Sequence, residues 1–291
     1  MRLKIQTILF LLFLTLVSPA PGTYSQDRSR PMPPIVRQVD HIMILTRNPD
    51  SLYSFLVNLL ELSVLYLYRP EAPGFKSGLL CAGNVNLEVV HSSSTPPSEL
   101  PATFGNMAFE PNSLATSIAE LKAREIEYSG PFPYVETDAD GKQQTRWTNV
   151  GLRTLRGAFL CEYNFDVAGR RKACQQELGR RGGGPIGLQT VKEIVLGVTE
   201  LHDAIARWQK VLDPLRPDAA GFWRVGDGPA LRLILSDRAG IQRLVLEVKS
   251  LDQATGFLAR HNLLGTRSKD EIKIDAKGVQ GLDLRLVAAA P

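Results

Sequence analysis

One theme recurs four times along the chain: a short apolar strand, an amphipathic helix with a start signal, then further strands. The first strand reads VDHIMILT, Val39–Thr46, and its helix opens at Asn48 with Pro49 in the first helical position. There proline's missing N–H costs nothing. Leu52, Phe55, Leu56, Leu59 and Leu60 then follow the i, i+3, i+4, i+7, i+8 spacing of a one-sided apolar face. The second unit starts at Phe104–Phe109, with a helix capped near Asn112 or Ser113 that carries Leu114, Ile118 and Leu121. The third starts at Val191–Val198. Thr199 can cap its helix, and Leu201, Ala204, Ile205, Trp208, Val211 and Leu212 keep the 3.6-residue period. The fourth starts at Ile241–Val248, where Ser250 and Gln253 form a capping box before Leu251, Ala254, Phe257 and Leu258.

Strands fill the intervals. The first unit offers Val64–Tyr68, Gly78–Ala82 and Val85–Val90, the last two divided by Gly83-Asn84. The second offers Thr145–Val150 and Ala158–Asn164, the third Phe222–Val225 and Ala230–Leu235, and the fourth Glu271–Ile274 and Leu282–Val287. The repeating unit reads as strand–helix–strand–strand–strand, which makes the chain an internally repeated α+β protein. Residues 166–187, rich in Gly and Arg, read as a linker between a first domain at 36–165 and a second at 188–291.

The N-terminus carries a different signal. Arg2 and Lys4 precede the apolar run ILFLLFLTLV from Ile8 to Val17, and small and turn-forming residues follow. That is the layout of a secretory signal peptide spanning 1–25, with Thr23 and Ser25 placed for cleavage. The run is shorter than the ~20 apolar residues of a membrane span. Residues 26–35 read as a disordered leader. The expectation is an exported protein, periplasmic or secreted, that has no membrane contact once the signal is cleaved. A net charge of +4 spread along the chain gives no clustered basic face for nucleic acid. Three cysteines, Cys81, Cys161 and Cys174, are too few for a disulfide framework. Cys81 and Cys161 sit in apolar strand runs and read as buried small hydrophobes.

The strings VDHIMIL and FKSGLLCAGNVNLEVV, then GNMAF and RGAFLCEYNF, resemble the paired modules of the vicinal oxygen chelate superfamily, which contains glyoxalases, bleomycin-resistance proteins and extradiol dioxygenases. The match covers roughly 36–165. VKEIVL and ALRLIL resemble a diverged second copy. The resemblance implies tandem βαβββ modules paired into cupped mixed sheets, each pair around one cavity. It also implies metal ligands on the first and last strands of each module. Those places are held by His41, Glu88, Asn106 and Glu162, with Asn106 standing where the family usually has histidine. Carboxylates inside apolar strands are costly to bury unless paired or metal-bound. One imidazole with two carboxylates suits a divalent metal such as Zn, Fe, Mn, Ni or Co. In the second half Glu193 and Arg232 take the places of His41 and Glu88, and the final strand offers Asp283 and Arg285. An Arg beside a Glu implies an ion pair where a metal would sit. His91, His202 and His261 read as surface or capping histidines.

Two functions follow from the resemblance. One is a metal-dependent lyase, isomerase or epimerase acting on a small oxygenated molecule, with Glu162 or Glu88 as the base. Dioxygenation is disfavoured, because extradiol enzymes use two histidines with one carboxylate. The other is a metal-free small-molecule-binding or sequestering protein of the bleomycin-resistance type.

Overall fold

The computed structural model describes residues 32–289 apart from 73, 94–101 and 138–139. The signal-peptide reading lies outside the described residues. Ile35 is fully buried and its carbonyl accepts from Ser117 Oγ, so the chain is already packed at the end of the expected leader. Among the described residues no helix is long and apolar enough to cross a membrane.

The first half contains β1 (Gln38–Thr46), α1 (Pro49–Ser54) continued by a π-helical turn (Phe55–Leu59), β2 (Ser63–Ala72), β3 (Phe75–Cys81) and β4 (Asn86–Ser92). It goes on with β5 (Ala102–Glu110), α2 (Leu114–Ala123), β6 (Tyr128–Thr137), β7 (Gln143–Leu152) and β8 (Ala158–Tyr163). These eight strands make one sheet in the order β2-β3-β4-β1-β5-β8-β7-β6. Within each unit the first and last strands run parallel, and the two units meet antiparallel at β1 and β5. A strand that leads into a helix and returns beside its own start needs such a parallel crossover. The order is therefore the same read outward from either side of the β1–β5 seam, and the repeat seen in the sequence becomes an approximate twofold. The β3–β4 turn is the expected Gly83-Asn84. Gly83 has φ +85°, and a Cβ there would lie 2.4 Å from the Gln189 carbonyl oxygen. Glycine is thus required both for the turn and for its seat against the second domain.

The second half follows α3 (Val167–Arg180) and contains β9 (Leu188–Val198), α4 (Leu201–Leu212), β10 (Phe222–Arg224), β11 (Ala230–Leu235), β12 (Gly240–Val248), α5 (Leu251–Arg260), β13 (Leu264–Arg267), β14 (Ile272–Ile274) and β15 (Leu284–Ala288). Its sheet has seven strands, ordered β10-β11-β9-β12-β15-β14-β13. The third unit therefore has two strands after its helix, not three. Pro214 and Pro217 lie between α4 and β10, and each removes a backbone donor a ladder would need. Of the expected capping box in the fourth unit, the Ser250 cap is present, with Gln253 N donating to Ser250 Oγ at 3.2 Å, while the Gln253 side chain turns instead to the Pro185 carbonyl at 3.3 Å. The expected cap at Thr199 is absent: Glu200 occupies the N-cap of α4.

The expected linker is largely helical. Asp166 caps α3 by accepting from Gly169 N at 2.8 Å, and Arg171, Cys174 and Leu178 form a buried stripe at i, i+3, i+7. The weak helix propensity of its glycines is overcome by packing. The two sheets share one hydrophobic core that runs from Ile35 to Leu286. Across the joint Phe109 and Trp208 meet edge-on at 6.2 Å, and Asn84 Oδ1 accepts from Val191 N at 2.9 Å.

Candidate functional site

β1 supplies the centre of the site through an irregularity. In the β1–β5 ladder Val39 pairs with Phe109 and His41 with Ala108, which leaves Asp40 as an extra residue. Such a bulge breaks the strict alternation of a strand and re-aims a side chain. Asp40 and His41, neighbours that regular pleating would send to opposite faces, instead meet: His41 Nδ1 lies 2.6 Å from Asp40 Oδ2. Tyr163 OH donates to the same Asp40 oxygen at 2.6 Å. Arg171, reaching in from α3, donates to Asp40 Oδ1 at 2.5 Å and to Glu110 Oε2 at 2.9 Å. Gln38 and Arg37 complete the satisfaction of Glu110, at 2.6 and 3.1 Å. Asp40, His41, Glu110 and Arg171 are all buried.

The second nitrogen of His41 faces a cavity of about 640 Å³ on the first sheet. Its Nε2 stands 3.4 Å from Glu88 Oε2, the carboxylate that β4 contributes. Aromatic side chains form much of the wall. Tyr134 and Trp147 stack at 4.1 Å with 5° between their planes, and Phe159 meets the His41 ring edge-on at 5.6 Å. Asn106 lines the cavity, while Met107 turns into the core.

Glu162 does not join this group. β8 directs Phe159, Cys161 and Tyr163 into the cavity, and the period of two sends Glu162 to the other face. There Glu162 Oε1 accepts from Leu114 N at 2.7 Å and caps α2, whose N-cap residue Ser113 makes no side-chain bond of its own. A carboxylate at a helix N-terminus is favourably placed against orphan N–H groups and the helix dipole. The expected role of Glu162 as metal ligand and base is thereby corrected.

The donor set can now be tested for a metal. His41 Nε2 and Glu88 converge on the cavity, and Asn106 offers an amide. Among the described residues no three His, Cys, Asp or Glu side chains are gathered as a metal group. Three protein ligands are usual at an open catalytic zinc site. The set is one strong donor short, and it does not fit the centre that the resemblance implies.

The electrostatics favour proton chemistry. Burial pulls the His41 pKa down, but the Asp40 hydrogen bond and the Glu88 carboxylate outweigh it and hold the imidazole above its ordinary 6.5. Burial would raise Asp40, yet His41, Arg171 and Tyr163 keep it below the usual carboxylate value. Burial together with the Asp40 charge drives the Tyr163 hydroxyl well up, so it stays a donor. Because the folded pKa of His41 exceeds its unfolded one, its stabilisation is complete below about pH 6.5 and fades as pH rises through the folded midpoint. Asp40 acts in the opposite sense, and its contribution is lost only as pH falls through its depressed value. NMR titration of the His41 ring protons should give a midpoint above 6.5, and Asp40→Asn should lower it, since the Asp40 hydrogen bond is the largest cause raising it. An unchanged midpoint in that variant would contradict the arrangement.

In the second domain Arg232 Nε lies 2.6 Å from Glu193 Oε1, the ion pair expected at the places matching His41 and Glu88. Arg285 pairs with Asp283 at 3.1 Å and with Glu271 at 2.7 Å. His91 and His202 are exposed and His261 ends α5. The sequence reading missed Asp40, Tyr163, Arg171 and Glu110. Apart from a buried-type strand rich in charge near its start, QVDH, nothing in the sequence marks them.

No protein-family model matches this chain, and no curated protein sequence matches it significantly. Solved structures do. A variant of homoprotocatechuate 2,3-dioxygenase from Brevibacterium fuscum aligns with TM-score 0.60 and 11% identity over 89% of this chain and 73% of that one. A variant of 4-hydroxymandelate synthase from Streptomyces coelicolor aligns with TM-score 0.57 and 14% identity, covering 88% and 93%. The Mn(II)-bound glyoxalase from Novosphingobium aromaticivorans aligns with TM-score 0.53 and 11% identity, covering 87% and 82%. The fold is that of the vicinal oxygen chelate proteins. At these identities the likeness concerns the backbone, and the vicinal oxygen chelate fold hosts many chemistries, so function has to come from the cavity.

Proposed function

We propose that the first-domain cavity binds a small planar oxygenated molecule and that His41, oriented by Asp40, exchanges a proton with it. The protein would thus be an exported acid–base enzyme of the lyase, isomerase or epimerase kind. The observation that carries this reading is the Asp40–His41–Glu88 chain, in which one imidazole nitrogen is fixed by a buried carboxylate and the other opens on the cavity beside a second carboxylate. Asp40 holds Nδ1 protonated, which leaves Nε2 to accept or return a proton. Glu88 can take a proton from a carbon next to a carbonyl, and the imidazolium Nε2–H then stands ready to donate to the oxygen that gains charge. The stacked Tyr134 and Trp147 offer a flat wall to a ring. Fold neighbours support that ligand class: one variant of the B. fuscum dioxygenase is seen in complex with HPCA. With the carboxylate of Glu162 committed to α2, no step is assigned to a metal.

A second reading, ligand binding without turnover, shares the cavity and differs only in chemistry. The test uses chelator-treated protein and HPCA or 4-hydroxymandelate as probes. Binding should quench Trp147 fluorescence saturably, and isothermal titration should show it weakened at least about tenfold in Trp147→Ala, as expected when a stacking surface of 0.5–1.5 kcal/mol is lost together with its buried area. Exchange of the mandelate α-hydrogen with D2O, followed by NMR, should stop in His41→Ala. Binding without exchange supports the sequestering reading. Failure of both probes to bind at millimolar concentration would overturn the ligand class.

A further inference from the structure

Cys81 and Cys174 come from distant parts of the chain and converge at the end of the first sheet that α3 covers. Cys81 is the last residue of β3, directly opposite Ser63 in the β2–β3 ladder. Cys174 lies on the buried stripe of α3, and its Sγ stands 3.8 Å from the Ser63 carbonyl oxygen. The Cys81 Sγ stands 3.7 Å from the Gly83 carbonyl oxygen, and Gln175, the next residue on α3, donates to that same oxygen at 2.9 Å. The helix is thus pinned over the β3–β4 turn, and the two thiols lie on either side of the Ser63 position, Cys81 opposite it in the ladder and Cys174 against its carbonyl. Both cysteines are free and buried. Cys161, the third, lines the cavity and has no part in the contact.

We propose that Cys81 and Cys174 are a disulfide-forming pair that latches α3 onto the first sheet under oxidising conditions. Closing the bond joins the two sulfurs at about 2.05 Å. The two thiols give up two protons and two electrons to a disulfide oxidant such as oxidised glutathione, which becomes two thiols. The charges nearby assist. The hydrogen bond from Cys174 outweighs burial, and with Arg171 and Arg181 near it holds the Cys81 thiol below its ordinary value, while Cys174 is pushed up and keeps its proton. A thiol whose thiolate is favoured, close to a second thiol, is the arrangement from which exchange proceeds.

The latch bears on the site because α3 also carries Arg171, the counter-ion of Asp40. Cys81, Asn86 and His41 are moreover direct register neighbours across β3, β4 and β1. The oxidised form adds a covalent tether to the ion pairs and packing that hold that guanidinium in the reduced form. The inference does not depend on what the cavity binds.

The test uses the full wild-type chain, equilibrated in glutathione buffers from reducing to oxidising and then trapped with iodoacetamide. Peptide mapping of the oxidised sample should show a Cys81–Cys174 link and an alkylated Cys161. The thermal midpoint should rise by about 10 °C on oxidation, since the bond closes a loop of about 90 residues. Cys81→Ser and Cys174→Ser variants should melt alike in both buffers. Three alkylated cysteines at every redox poise, or a link that includes Cys161, would overturn the proposal.

Discussion

Replacing Arg171 with methionine is expected to destabilise the protein by about 3–5 kcal/mol, the usual cost of removing one partner from a buried charge cluster. One guanidinium nitrogen bridges Asp40 and Glu110 at 2.5 and 2.9 Å, and the Asp40 side chain is 0% exposed. Without the arginine, two carboxylates are left close together away from water, and one of them must bind a proton. Urea unfolding at pH 7 measures the loss. The same variant should raise the His41 midpoint, because Arg171 is the charge that opposes imidazole protonation. Asp40→Asn and Glu110→Gln added to Arg171→Met should recover most of the stability, since the uncompensated charges are gone. An Arg171→Met protein within 1 kcal/mol of wild type would show that the cluster is hydrated.

The other large effect concerns metal. Asn106→His should convert a weak or silent site into one that binds Zn, Mn or Ni, because it completes two imidazoles and one carboxylate with His41 and Glu88, the facial set that divalent iron-type sites use. The gain in affinity should reach at least the roughly 10–100-fold that even outer ligand partners contribute. Isothermal titration of both proteins measures it. Adding His41→Ala should abolish the gain, because two donors are then missing. Glu162→Gln should leave metal affinity unchanged in either background and should cost α2 about 1 kcal/mol through its weakened cap. If Glu162→Gln removes metal binding instead, the assignment of that carboxylate to α2 fails.

The unequal legibility of this chain has physical causes. VDHIMILT was readable as a strand because its apolar residues are dense and bounded by Asn48-Pro49. Ser250 was readable as a cap because Gln253 answers it three residues on. β6, YSGPFPYVET, escaped because two prolines argue against a strand, yet it lies at the edge of its sheet, where unpaired donors are tolerated. β13 escaped as a short edge strand. At the site His41, Glu88 and Asn106 came from the resemblance, whose ligand places on the first and last strands of each module they occupy. The same reading misplaced Glu162, because the phase of alternation in LCEYN has to be known to one residue, and both phases place a plausible group in the cavity. Asp40 was hidden by its bulge, a backbone event that no side-chain pattern announces. Arg171 was hidden because a Gly/Arg-rich stretch was read by composition, and composition is silent about the three residues in it that face inward.

The position of α3 also separates two kinds of boundary. The repeat places the end of the first domain near residue 165, but the helix beyond it provides the cation that neutralises Asp40 and the stripe that seals the sheet at Cys81 and Ser63. A fragment cut at the repeat boundary would keep every strand of its sheet and lose the counter-charge for a carboxylate it cannot hydrate. The repeat unit is therefore smaller than the unit whose buried charges are paired, which extends to about Arg181 and borrows its last helix from what lies between the copies.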